Sequence, residues 1–220
     1  AITGADPEAA RIAARAFAIR PGLPIVAQAV LDAEARARRA LPAAGYPFAT
    51  VGEPDIVINH DTERGTLTLA VDAGPAARFG ALRLSGRPDL GSRHLATIAR
   101  FREADPYAQA LVEDLRRALI ATSLFGEVRI TPVRAGTAPA GRAIADLDVS
   151  VTPAPARTIA GEAGWDSLDG VRGEVSWTHR NLLPPEGAVT ARLVLGEREQ
   201  SLRAELVRSN WRRRDQSLST

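Results

Sequence analysis

Apolar residues recur along this chain in two rhythms, one helical and one strictly alternating. Asp6-Pro7 reads as an N-cap followed by proline at the first helical position, and Ile12, Ala16 and Ile19 then recur at helical spacing with Phe17 beside them. A second helix is predicted from near Pro24. Val26, Ala29, Val30, Ala33, Ala37 and Leu41 form its apolar stripe, and Pro42 and Gly45 end it. The period then changes. "DIVIN" (Asp55–Asn59) and "TLTLAV" (Thr66–Val71) read as two strands around a polar turn.

The plan repeats. "RFGALRLSG" (Arg78–Gly86) is a predicted strand, followed by a short helix around Leu95–Arg100. Asp105-Pro106 is read as a second cap-plus-proline start, for a helix striped by Tyr107, Leu111, Leu115, Ala118, Leu119 and Thr122. Strands follow at Glu127–Val133 and Ala145–Val151. Helix, helix, strand, strand thus occurs twice, which predicts an α+β chain built from two tandem copies of a βααββ unit. The first copy lacks a counterpart of Arg78–Gly86, and that strand is expected upstream of Ala1.

After Pro155 only alternation remains. "RTIAGEAGW" (Arg157–Trp165) is glycine-rich and extended, and "SLDG" (Ser167–Gly170) is a turn. Val171, Val175 and Trp177 then share one face, with Arg172, Glu174, Ser176 and Thr178 on the other. Val189, Ala191, Leu193 and Leu195 oppose Thr190 and Arg192; Leu202, Ala204 and Leu206 oppose Arg203 and Glu205. A soluble sandwich and a membrane barrel both produce such faces. Three details favour the barrel: strands of about ten residues, which suit a tilted crossing; Trp165, Trp177 and Trp211 near strand ends, where interfacial aromatics belong; and the absence of any other Trp in the chain. Four strands cannot close a barrel, and "DQSLST" reads as the start of a fifth, so the chain is expected to be a piece of a longer one.

Composition narrows the chemistry. There is no Cys, hence no disulfide or thiolate metal site, and no Met. All basic residues are Arg, but the net charge is only +2 and the charges are interspersed, which argues against nucleic acid as a partner. His60, His94 and His179 have no metal-ligand spacing. Asp166 and Asp169 flank a turn and are read as backbone-shaping residues, not a catalytic pair. No phosphate loop or nucleophile elbow is present, so neither an enzyme nor a bound cofactor or metal is expected. The one basic run, Arg212–Arg214, is read either as a solvated turn at a barrel rim or as a lure for anionic lipid headgroups.

"GYPFATV" (Gly45–Val51), "GPAARFGALRLSG" (Gly74–Gly86), "LFGEV" (Leu124–Val128) and "GWDSLDG…WTHRNLLPPEG" (Gly164–Gly187), in this order, resemble the POTRA-plus-barrel assembly proteins of bacterial outer membranes, the BamA/TamA superfamily. "GYPFA" with "GP…FG" is most similar to the TamA branch. "VRGE" (Val171–Glu174) is similar to a Val-Arg-Gly motif of that family, but it sits in an early strand and is read as coincidence. The resemblance implies POTRA domains at 1–74 (lacking its first strand) and 75–155, then the first strands of an outer-membrane β-barrel at 156–220. It places the POTRA domains in the periplasm. It implies capture of unfolded outer-membrane or autotransporter clients by strand addition, contact with outer-membrane lipid, and an inner-membrane-anchored TamB-like partner. The implied client-binding residues are Glu127, Val128, Arg129 and Ile130 in one edge strand, and Ile159, Ala160, Gly161, Glu162 and Gly164 in the first barrel strand. Trp165, Trp177 and Trp211 would sit at the membrane interface. Two rival readings remain open: a two-partner secretion transporter of the same architecture, and a soluble periplasmic binding protein ending in a β-sandwich.

Overall fold

The computed structural model describes residues 2–3, 6–22, 24–59, 61–62, 64–86, 91–166 and 170–220. His60, the "SLDG" turn up to residue 169 and the side chain of Asp166 lie outside the described residues. The elements run β1 (Ile2–Thr3), α1 (Pro7–Phe17), α2 (Ala27–Ala43), β2 (Thr50–Asn59), β3 (Arg64–Asp72), β4 (Ala77–Ser85), α3 (Ser92–Ile98), α4 (Gln109–Ala121), β5 (Phe125–Thr137) and β6 (Ala143–Pro153). Five strands follow: β7 (Arg157–Asp166), β8 (Gly170–Leu183), β9 (Gly187–Gly196), β10 (Gln200–Arg208) and β11 (Leu218–Ser219). The chain is of the mixed α+β class. Among the described residues the strands form three sheets, in the orders β1-β3-β2, β4-β6-β5 and β11-β10-β9-β8-β7.

By internal packing the chain divides into two compact units. The first is Ala1–Ala81 with Phe101–Val112 and Pro132–Leu147; the second is Leu82–Arg100 with Glu113–Thr131 and Asp148–Thr220.

In the first unit the Asp6 carboxylate accepts from the backbone N–H of Glu8 and Ala9 (2.9 and 3.0 Å), capping α1 as its sequence predicts. The fully buried stripe of α1 is Ala9, Ala13 and Phe17, and the predicted Ile12 and Ile19 pack half-buried against the same core. The small side chains face the core, and the helix stops at a left-handed Ala18, before Ile19. Arg36 of α2 donates to the carbonyls of Ala16 and Phe17 (3.0 and 3.2 Å), satisfying the end of α1. Val30, Ala33, Ala37 and Leu41 bury the inner face of α2, while Val26, at the N-cap, is exposed. Near the start of the chain Ile2 and Thr3 pair in parallel with Leu69 and Ala70, giving the order β1-β3-β2. Asp105-Pro106 is not a helix start. Pro106 bridges Arg78, the Asp105 side chain accepts from the Arg102 N–H (2.8 Å), and α4 begins later, at Gln109. The detour seats Phe101 and Tyr107 against Phe79, with ring centroids 3.9 and 5.0 Å away.

In the second unit Leu95 and Ile98 of α3, Leu115 and Leu119 of α4, and Val149 and Val151 of β6 are buried. The same unit carries the antiparallel sheet β7–β11. Its registers put Ile159 opposite Trp177, Gly161 opposite Val175 and Trp165 opposite Val171. Val175 in turn faces Leu193, which faces Leu202. One face is therefore mainly apolar, with Arg157, His179, Gln200 and Arg208 toward the strand ends, and the alternate residues, Glu174, Arg192 and Arg203 among them, stand on the other. Among the described residues, no helix is long and apolar enough to cross a membrane, which says nothing of strands.

Candidate functional site

Among the described residues six strands end a sheet, β1, β2, β4, β5, β7 and β11, of which β2, β5 and β7 carry the candidate edges. Each of these three offers free backbone N–H and C=O groups along its unpaired side.

On β7, Ile159, Ala160, Gly161, Glu162 and Gly164 are all exposed, and Ile159 is 75% so. On its paired side β7 runs in unbroken antiparallel register with β8, from Arg157 opposite His179 to Asp166 opposite Gly170. Gly161 and Gly164 bring no side chain to the sheet, and Glu162 stands directly opposite Glu174. Like charges facing across a ladder oppose pairing. Glu174 is answered by Arg192 at 3.2 Å and Arg172 at 3.6 Å, both from outside β7.

On β5 the four expected residues divide. Val128 is buried in the core and Ile130 half-buried, so at those positions the edge presents mainly backbone. Glu127 and Arg129 are exposed and pair with each other at 3.0 Å. The sequence reading found the strand β2 but did not name it as a candidate edge; its Ile56, Val57 and Ile58 are exposed in succession, Val57 and Ile58 59% and 57% so. The signal was present in "DIVIN", three aliphatic residues in a row where a half-buried strand alternates.

The second unit also contains a polar joint that sequence reasoning did not find. Arg214 makes a two-pronged pair with Asp114 of α4, one prong through Nη1 to Oδ2 and the other from Nη2 to Oδ1 at 3.1 Å. Its Nη1 also donates to the Ile98 carbonyl at 3.0 Å. The donated bond from Arg214 holds the Asp114 carboxyl below the usual carboxylate range, against the opposing effect of burial; the same bond raises Arg214. Arg100 adds a bridge to Asp215 at 3.0 Å. Glu186, in the β8–β9 turn, is buried. It lies 2.6 Å from His94 Nε2 of α3 and accepts from Asn210 at 2.7 Å. The basic triplet therefore does not act as one patch: Arg214 is committed to α4, and Arg212 lies over the Trp211 ring, 5.7 Å from its centroid.

The three tryptophans are spread along the sheet. Trp165 is the next-to-last residue of β7 and is 73% exposed. Trp177 lies six positions after Val171, the partner of Trp165, which is about 20 Å along β8. Trp211 lies past the end of β10, with the Arg208 guanidinium 4.4 Å from its ring centre. His179 stands on the apolar face opposite Val189, and its Nδ1 accepts from the Asn181 N–H at 3.3 Å.

No family model and no curated protein matches the chain. Solved structures do. BamA from Haemophilus ducreyi lacking POTRA domains 1–3 superposes with a TM-score of 0.73 over 94% of this chain, at 15% identity. Haemophilus influenzae BamA POTRA3–5 gives 0.52 over 69% of this chain, at 22% identity. CdiB from Escherichia coli gives 0.48 over 94%, at 15% identity. The chain spans 38% of the H. ducreyi chain, 58% of the H. influenzae chain and 38% of the CdiB chain. Over nearly all of its length, then, this chain has the fold of a part of BamA.

Proposed function

We propose that the chain is part of an outer-membrane protein assembly or translocation factor of the BamA/TamA superfamily, in its TamA branch. Residues 1–74 and 75–155 are its POTRA domains and 156–220 the first strands of its barrel. The single observation carrying this reading is the exposed apolar face of β7–β10. Ile159 and Leu202 stand 75% and 76% exposed on it, where a soluble sandwich would bury them under a second sheet. Lipid is the solvent that suits such a face when the opposite face carries Glu174, Arg192 and Arg203.

On this reading the POTRA edges take up extended clients through the backbone, with little demand on sequence. The β5 edge at Glu127–Ile130 does so in the second domain, and the apolar β2 edge at Ile56–Ile58 in the first. The β7 edge receives a client strand at Ile159–Gly164 and lets it pass into lipid. Unfolded outer-membrane and autotransporter proteins are the clients, and a TamB-like inner-membrane protein is a partner. No chemical step is involved; folding of the client supplies the free energy.

The test is photo-crosslinking to a stalled client strand from positions 160 and 162 of β7, with position 192 on β9 as control. Crosslinks from β7 and none from β9 are expected. Crosslinks absent along β7 defeat the seam mechanism.

A further inference from the structure

We infer that the second unit carries a site for the phosphate of an anionic glycerophospholipid, built by Arg93, Arg208 and Arg212 around Trp211. A hollow of about 570 Å³ opens between α3 and the segment that follows β10. Arg93, Arg208, Arg212, Asn210 and Trp211 line it, with Arg208 Nη2 donating to the Pro184 carbonyl at 3.2 Å, and none of its lining residues is acidic. The nearby carboxylates are occupied: Glu186 by His94 and Asn210, Asp114 by Arg214, and Asp215 by Arg100. Among the described residues Arg93, Arg208 and Arg212 have no carboxylate partner, so the hollow holds uncompensated positive charge. Guanidinium groups bind phosphate through paired, charge-assisted hydrogen bonds.

The loop is held in shape for this. Asn210, Arg212 and Asp215 adopt left-handed backbone, with φ of 49°, 63° and 64°. The loop is tied by the Trp211 N–H to the Gln216 carbonyl (2.9 Å) and the Asp215 N–H to the Asn210 side chain (3.1 Å).

Continuity with the apolar face identifies the ligand as a lipid. Strand alternation puts Arg208 on the same side of β10 as Leu202, Ala204 and Leu206. Its aliphatic stem extends the row that acyl chains would cover, and its guanidinium lies over the ring of an aromatic of the kind found at headgroup depth. A lipid lying along Leu202 and Leu206 brings its phosphate to the hollow. The inference rests on the membrane reading above for the position of the acyl chains, but not for the chemistry of the pocket.

The test uses the whole chain in uncharged detergent with W165F and W177F, which leaves Trp211 the only tryptophan. Dihexanoyl phosphatidylglycerol, dihexanoyl phosphatidylcholine and inorganic phosphate are titrated separately, with Trp211 fluorescence as the readout. The expected result is saturation by phosphatidylglycerol at a concentration about tenfold or more below the other two, a shift of the same order toward weaker binding in R93Q/R212Q, and an unchanged far-ultraviolet spectrum in that variant. Equal response to inorganic phosphate, equal response to phosphatidylcholine, or indifference to R93Q/R212Q overturns the site. Flotation of the unsubstituted chain with pure phosphatidylcholine vesicles tests the membrane reading separately. Loss of flotation defeats that reading and leaves the titration to decide the pocket.

Discussion

Leu147 and Leu202 are both leucines in alternating strands, and their surroundings are opposite. Leu147 of β6 is fully buried, whereas Leu202 of β10 is 76% exposed. Phe79 and Trp165 make the same contrast among aromatics, at 1% and 73% exposed. In the α+β part of the chain the inward residues of the sheets, such as Leu69, Val71, Leu147 and Val149, are buried by protein, the Ile56–Ile58 run of β2 excepted. In β7–β11 the apolar face is equally regular and nothing among the described residues covers it. An alternating pattern states that a strand has an apolar side; it does not state what that side touches.

The largest expected effect lies on the buried side. Leu147→Ala removes a fully buried side chain and should lower unfolding free energy by about 2–5 kcal/mol in urea titration. Leu202→Ala, measured in the same way, should change it by less than about 0.5 kcal/mol, because little water is excluded there in the free chain. Equal losses would erase the contrast. In lipid the order reverses. Leu202→Arg should oppose vesicle insertion by about 2–4 kcal/mol, read as the distribution between bound and free protein, while Arg203→Leu, on the opposite face, should not oppose it.

The next effect sharpens the boundary between the two regions. Arg214→Ala leaves Asp114 without its main partner and should cost about 1–3 kcal/mol in the same unfolding titration. The pair also predicts a pH dependence. Because the folded Asp114 carboxyl is held below its ordinary value, the stability it contributes is fully present above the unfolded carboxylate value of about 3.9 and is lost as pH falls through the lower folded value. Asp114→Asn should therefore lower stability at neutral pH and flatten the loss in that acid window. The smallest effect is local: Asp6→Ala removes the cap of α1, an expected loss of about 1 kcal/mol with no change in lipid binding.

What the sequence made legible follows from the range of the forces involved. The Asp6 cap was legible because its partners, Glu8 and Ala9, are two and three residues away. The identical Asp105-Pro106 dipeptide misled because its partner is Arg78, across a bridge that local propensity does not encode. The strands from Arg157 onward were legible in their facing because period two survives in any solvent. The two residues of β1 were not, since a pair that short has no period and is fixed only by Leu69 and Ala70. The basic triplet failed for the same reason on a larger scale. Arg214 finds Asp114 a hundred positions earlier, so nothing in "WRRRD" separates the committed arginine from Arg212 beside it. The open edges depend on sheet order, which the pattern does not carry. The exposure of β2 was nevertheless readable in its unbroken Ile56–Ile58 run.

The central claim is that the apolar side of β7–β10 is solvated by lipid, and one measurement bears on it most directly. The chain has no cysteine, so single cysteines can be placed at 202, 203, 204, 205 and 206 in turn and labelled with an environment-sensitive fluorophore in phosphatidylcholine vesicles containing quencher-bearing acyl chains. The account predicts strong quenching at 202, 204 and 206 and weak quenching at 203 and 205. Uniform weak quenching along the strand, with the even positions already shielded in lipid-free buffer, would contradict it.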